Sequence, residues 1–341
     1  MAAICNTECL RQQDREHRGE PRMSVTRLGR ALARAVGFTP DQPALSISER
    51  SATTKPTEVD VYWGEHTTHS TAFNSAEESL QYLEWRFGQY PFFRELMELW
   101  GEHDDRVVLD YGCGPGNDLT GFLVYTKARK VIGIDVSAKA LQLAGRRLAL
   151  HQIDPSRVEL IKISDSTREI PLEARSVDYI YCEGVLHHTT YPEAMLTELR
   201  RTLKPAGSAC IMVYNRNSLW FHLYTAYDKM ILRKAFPGLT VEQAFSRNTD
   251  GEHCPISRCY HPDEFMDLCH RAGFQGEFAG GYFSTLELEL FEGLGNQAAC
   301  DDRLPSVHRE FLRGLRCDTK GFPQYRGKYA GIGGVYKLRM A

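Results

Sequence analysis

The residues best suited to chemistry lie in one run, Val107-Val108-Leu109-Asp110-Tyr111-Gly112-Cys113-Gly114-Pro115-Gly116-Asn117-Asp118. Its start reads as a buried strand, and the glycines read as a turn into a helix. A turn without side chains lets a ligand approach the backbone closely. The helix start behind it offers unpaired N–H groups and a partial positive charge. Many nucleotide folds use such a turn, so spacing matters. A dinucleotide fingerprint is spaced G-x-G-x-x-G, and its third small residue would fall at Asn117. Here the third glycine is Gly116, giving G-x-G-x-G. About 20 residues further on, a second apolar run ends in Gly133-Ile134-Asp135, where an acid can accept both hydroxyls of a ribose. A third run ends in Ser164-Asp165-Ser166, which sets another carboxylate near an adenine edge.

A second group can move protons. Glu183, His187 and His188 follow a fourth apolar run, and Tyr214 ends a fifth. A histidine titrates near neutrality, and a desolvated Glu183 is pushed toward it. The two histidines equally suit hydrogen bonding within a helical turn. Glu65 and His66 are weaker candidates from an upstream segment. Tyr62, Trp63 and Tyr90 offer aromatic faces that attract a cation, or else simply pack as core. Cys113 stands at a helix start, where thiol pKa values fall, but no partner pattern supports a nucleophile. His253-Cys254, Cys259, His261 and Cys269-His270 are metal-ligand types without the two-residue spacing of paired cysteines. No metal site is expected.

Strands and helices must alternate to bring these residues together. Val107–Asp110, Lys130–Ile134, Val158–Ile163, Val177–Cys182 and Ser208–Tyr214 read as strands. Ser137 caps a helix carrying Leu141, Ala144 and Leu148. Pro192 opens another with Met195, Leu199 and Leu203. Repeated β-α-β units with nearly continuous apolar strands predict a Rossmann-like α/β fold, a parallel sheet with helices on both faces. Ligands then lie beyond the carboxyl ends of the strands.

Residues 1–60 contain a single aromatic, Phe38, and predict a partly disordered extension. Within it, Val25, Leu28, Leu32 and Ala35 fall on one face of a basic amphipathic helix. Residues 61–100 are rich in aromatics and predict a helical lid, with Ser75 and Glu78 as a capping pattern. Pro91 opens a second lid helix with Phe93, Leu96 and Trp100 inward and Gly101 as its stop. The ligand-binding core covers 101–215, and 216–260 is an insertion. Residues 261–341 complete the core with strands at Phe274–Phe283 and Gly334–Met340, around a further insertion at 285–329.

From about Arg106 to Asn215 the chain resembles the class I S-adenosylmethionine-dependent methyltransferases. Within these it is most similar to the small-molecule group that includes the ubiquinone and menaquinone biosynthesis methyltransferases. Asp110, Gly112, Gly114 and Gly116 look like the first motif of that family, Asp135 its ribose-binding acid and Asp165 its adenine-binding acid. The run from Val177 through Cys182 to His188 looks like the fourth-strand motif. Leu203-Lys204-Pro205-Ala206-Gly207 matches the turn before strand five, with Ala206 where a glycine is commoner. The resemblance implies a seven-stranded sheet whose last strand is antiparallel, and S-adenosylmethionine as cofactor. The expected cofactor set is Asp110, Gly112, Gly114, Gly116, Asp135, Asp165, Ser166, Cys182 and Tyr90. The expected catalytic set is Glu183, His188, His187 and Tyr214. The expected acceptor is a small organic molecule held by 61–100, 216–260 and 285–329. A dinucleotide oxidoreductase and a non-catalytic cofactor-binding scaffold are the rival readings.

The chain has 341 residues, 42% hydrophobic and 25% charged, with a net charge of −3. That balance offers no broad basic surface for a nucleic acid. The Asn-Pro-Pro-Tyr motif of many DNA and protein amide methylating enzymes is missing, and Val213-Tyr214-Asn215-Arg216 stands in its region. No apolar run approaches the ~20 residues of a membrane span. Ten cysteines scattered without a framework, and no secretory leader, suit a reducing cytoplasm. A homo-oligomer is left open.

Overall fold

A computed structural model of the chain describes residues 46–49, 55–68 and 70–341. The amphipathic helix expected at Ser24–Val36 lies outside the described residues. The expected strands form as β2 (Val107–Tyr111), β3 (Lys130–Asp135), β4 (Val158–Lys162), β5 (Val177–Glu183) and β6 (Leu203–Tyr214). β7 (Phe274–Tyr282) and β11 (Gly333–Met340) complete the main sheet on one side. Alternate residues of each strand feed opposite faces, as a pleat of period two requires. Leu109, Ile132, Ile134 and Ile180 pack with Met195 and Leu199 on one face. Val108, Val131, Tyr179 and Tyr181 pack with Leu119, Phe122 and Leu141 on the other. Both faces are therefore buried under helices, which is why the strands read as continuous apolar runs.

With β1 at Ile47–Glu49, the strand order is β1-β4-β3-β2-β5-β6-β11-β7. β11 runs antiparallel to both β6 and β7, so the last strand is the reversed one. The sheet has eight strands rather than seven. The extra one, β1 (Ile47–Glu49), comes from the amino-terminal extension and pairs in parallel with β4, Ile47 opposite Leu160. Three residues carry too little apolar pattern to announce a strand.

The lid holds α1 (Glu58–Glu65), capped reciprocally by Thr57 and Asp60, and α2 (Ala76–Gln89), capped by Ser75. The second expected lid helix is only α3 (Phe93–Leu96), because Phe92, Glu98 and Trp100 adopt positive φ and break the helical path on both sides. In the core, α4 (Asn117–Tyr125) follows the glycine turn, α5 (Ala138–Leu150) follows β3, and α6 (Pro192–Thr202) follows β5. The first insertion carries α7 (Trp220–Leu232), wound with i→i+5 bonds, and α8 (Val241–Thr249). α9 (Pro262–Arg271) leads into β7.

The second insertion carries α10 (Thr285–Cys300) and α11 (Ser306–Gly314). It ends in a small antiparallel sheet of β8 (Arg316–Cys317), β9 (Pro323–Tyr325) and β10 (Lys328–Tyr329). These helices bury Leu223, Tyr227, Ala298, Phe311 and Leu312 in a core of their own with α7. No described helix is long and apolar enough to cross a membrane.

Candidate active site

A cavity of about 400 Å³ opens at the carboxyl ends of β2 to β6. Its first wall is the glycine turn. Gly112, Gly114 and Gly116 all adopt positive φ, 81°, 52° and 78°. They do different work. A Cβ on Gly112 would sit 2.0 Å from Val185 Cγ2, and one on Gly116 would sit 2.8 Å from Ala144 Cβ, so both serve packing. A Cβ on Gly114 would meet nothing within 4 Å, and Gly114 lines the cavity. It is the position where bare backbone faces a ligand. Asp135 fixes this turn: its Oδ2 accepts the Gly114 N–H at 2.8 Å and its Oδ1 accepts the Ser137 N–H at 2.8 Å. Asp110 is buried beneath, its Oδ2 without a hydrogen-bond partner, and burial pushes its carboxyl well above the usual range.

The second wall follows β4. Asp165 accepts the Thr189 hydroxyl at 2.8 Å, the Thr190 N–H at 3.1 Å and the Thr190 hydroxyl. Its own N–H donates to Asp60 Oδ1 of the lid at 2.8 Å, and Ser164 donates to Asp60 Oδ2 at 2.6 Å. The lid helix α1 is thus tied directly to this wall.

The third wall is an ion-pair network. Arg86 of α2 reaches inward to Asp118 at 2.6 Å and to Glu183 at 3.3 Å, and stacks over Phe93 at 4.4 Å. Tyr181 donates to Asp118 at 2.8 Å and Tyr282 donates to Glu183 at 2.7 Å. Burial raises the Glu183 carboxyl, while the Arg86 guanidinium opposes that shift. Both Glu183 oxygens are committed.

The fourth wall centres on Asp250, at the end of α8. Its Oδ1 accepts the Tyr214 hydroxyl at 2.6 Å, and its Oδ2 accepts the Ser257 hydroxyl at 2.7 Å. His188 Nε2 stands 3.7 Å from Asp250 Oδ1. His188 Nδ1 lies 2.6 Å from the Ile256 carbonyl, which only accepts, so Nδ1 carries the proton and Nε2 the lone pair. Desolvation lowers the His188 pKa below its usual 6.5, with Asp250 and the Ile256 carbonyl acting the other way. Trp63 packs on His188 at 4.8 Å between ring centres, and Tyr62 donates to the Asp250 carbonyl. Trp220 lines the same end, its indole N–H on Thr249 at 3.1 Å.

Residues 82–277, more than half of the chain, match a family described as a methyltransferase domain. The chain belongs to the methyltransferase-domain family. The match spans the glycine turn, β2 to β6 and the Asp250 wall. A probable methyltransferase of Aspergillus luteorubrus is 28% identical over 184 residues, 52% of this chain and 60% of that protein. A ubiquinone biosynthesis O-methyltransferase of Neisseria meningitidis is 28% identical over 125 residues, 36% of this chain and 51% of that protein. An uncharacterized 37.1 kDa protein in a Streptomyces fradiae transposon is 33% identical over 142 residues, 41% of this chain and 36% of that protein. The match therefore spans between 36% and 60% of the length of these curated relatives.

The cofactor of the family is S-adenosylmethionine, and the cavity of this methyltransferase domain fits it. Gly114 leaves open space at the turn, Asp135 borders that space, and Val136 and Ile163 line it with apolar surface. Of the sequence-predicted residues, Asp110, Gly112, Gly114, Asp135, Asp165, Tyr90, Glu183, His188 and Tyr214 all line the cavity. Gly116, Ser166, Cys182 and His187 are not among its lining residues. Cys182 packs in the core, and Ser166 faces Ser164, with oxygens 2.9 Å apart. His187 is fully buried against Tyr214 at 3.8 Å between rings, and burial pushes its pKa well down.

Lid residues and the first insertion do reach the cavity, as expected. The second insertion, 285–329, contributes no lining residue, which corrects its assignment to the acceptor pocket. Its aromatics are consumed by their own core with α7.

Arg86 and Asp250 escaped the sequence reading, and Asp118 closed the glycine run without being given a role. Arg86 had a signal: Ser79, Leu83 and Arg86 share the inward stripe of α2, where a cation needs a partner. Asp250 had little, beyond its place next to Gly251. From the Cys-His cluster only Cys254 arrives here: one ligand-type atom from each of His188, Asp250 and Cys254 lies within 4.8 Å of the others. The Ile256 carbonyl and two hydroxyls already engage His188 and Asp250.

Proposed function

We propose that the chain is a methyltransferase that moves a methyl group to a protic oxygen or nitrogen of a small organic acceptor, with His188 as the base. S-adenosylmethionine, when bound, supplies a methyl carbon on a positively charged sulfur. Gly114 and Asp135 would hold the cofactor, Gly114 by leaving open space at the turn and Asp135 as an acceptor for ribose hydroxyls. The catalytic task of the protein is then to orient the acceptor and to remove its proton. His188 Nε2 holds the lone pair that takes this proton. Asp250, 3.7 Å away, stabilises the imidazolium that results. Tyr214 and Ser257 hold the Asp250 carboxylate in place. Glu183 is a poorer base, because Tyr282 and Arg86 occupy its oxygens. Trp63 of α1 packs on the His188 ring at this end.

The observation that carries this reading is that one cavity is lined both by the open Gly114–Asp135 turn and by His188, whose Nδ1 lies 2.6 Å from the Ile256 carbonyl and whose Nε2 stands 3.7 Å from Asp250. The likeness to a ubiquinone biosynthesis O-methyltransferase supports an oxygen acceptor. The test is to incubate the chain with methyl-labelled cofactor and a metabolite extract. Label is expected in low-mass products, and its loss is expected in His188→Ala. Cofactor binding without any transfer of label identifies a non-catalytic binder and overturns the reading.

A further inference from the structure

We propose that the acceptor end admits a planar aromatic molecule that is neutral or cationic, and rejects one bearing a carboxylate or phosphate. This rests on the methyl-transfer reading and names the acceptor class for it. Asp118, Asp135, Asp165, Glu183 and Asp250 all line the cavity. Arg86 is the one guanidinium or ammonium among the described lining residues. Its two terminal nitrogens already face Asp118 and Glu183, so its charge is offset within the wall. Asp250 meets hydroxyls and the His188 ring, and no Lys or Arg pairs with it among the described residues. A cleft whose carboxylates outnumber its one lining cation focuses a negative field on what enters. The cofactor brings one net positive charge, which leaves the wall acidic.

The apolar contribution has its own geometry. Trp63, Tyr214 and Trp220 line the end that holds His188 and Asp250. Aromatic faces give a planar ring its contact area, and their quadrupoles favour positive charge. An anionic group here would lose its hydration, meet no free cation and face Asp250. The acidic wall thus excludes competitors as well as attracting partners.

Three phenols of similar shape test this: tyramine is cationic, 4-ethylphenol neutral and 4-hydroxyphenylacetate anionic. Each is titrated calorimetrically into the full chain saturated with S-adenosylhomocysteine. Tyramine and 4-ethylphenol are expected to bind at least about tenfold more tightly than 4-hydroxyphenylacetate, a gap of ~1.4 kcal/mol. In Asp250→Asn the advantage of tyramine over the acid should shrink. Equal binding of all three, preference for the acid, or no binding of any of them overturns the proposal. Turnover is read separately. Ordered binding without methyl transfer supports this selection while breaking the methyl-transfer reading.

Discussion

The cavity joins two ends built in opposite ways. The end proposed for the cofactor begins with β2, the glycine turn and the acid that ends β3, the strand paired with β2. At the glycine turn the hydrogen bonds are backbone-directed, Gly114 and Ser137 N–H groups onto Asp135. The end proposed for the acceptor is assembled from α1, the turn after β5, the end of β6 and the loop after α8. Its contacts are side chain to side chain, Tyr214 and Ser257 onto Asp250. Backbone-directed sites tolerate little change in residue type, because the turn itself demands it. Side-chain hubs can be rebuilt from other residues, and that is where one fold acquires different acceptors.

The sharpest way to separate the two ends is to damage one and measure the other. His188→Ala should lower kcat by about 10²- to 10⁴-fold, the usual contribution of a positioned base, while S-adenosylhomocysteine affinity stays unchanged. The pH profile gives the sign. The base works only when neutral, and burial lowers the His188 pKa below 6.5, so activity should hold at neutral pH and fall on the acid side of 6.5. A profile that instead rises as pH drops removes His188 from the role. Asp135→Ala does the reverse: affinity for S-adenosylhomocysteine should weaken by about 10- to 100-fold, as for the loss of charge-assisted hydrogen bonds. Unchanged calorimetric affinity would remove Asp135 from the cofactor site.

The same contrast explains what could be read in advance. Strand positions and the placing of Gly114 and Asp135 at one cavity wall follow from local patterns, apolar runs ended by glycine or acid, whereas the reversed last strand is implied only by the family resemblance. Asp250 stands 62 residues beyond His188 by the chain numbering, and only the fold brings them within 3.7 Å. Gly116 of the first motif and Cys182 of the fourth-strand motif both face packing instead, Gly116 against Ala144 and Cys182 inside the core. The motif says which segment builds the wall but not which face each residue presents. Trp220 and the aromatics of 285–329 share composition, and composition alone could not separate a cavity wall from a private core.

Asp250→Asn keeps the shape of the acceptor hub and removes its charge. The expected loss in kcat is about tenfold, because the imidazolium formed on His188 loses its stabilising partner. The acid limb of the pH profile should also move to lower pH, since the Asp250 charge is one of the groups that raises the His188 pKa. A loss of activity with no movement of that limb would make Asp250 a purely structural support.

Glu183→Gln should have the smallest effect, and it sharpens the comparison most. Glu183 sits between the two ends, with Tyr282 on Oε1 and Arg86 on Oε2. An amide oxygen keeps one of these acceptors, and Arg86 keeps its ion pair with Asp118 at 2.6 Å. Turnover should therefore fall by only about three- to tenfold, the worth of one weakened charge-assisted hydrogen bond, with cofactor affinity intact. A loss as deep as that of His188→Ala would make Glu183 the base. Loss of turnover and cofactor binding together would show that the Arg86 network supports both ends at once, and the two regions would then be one cooperative unit.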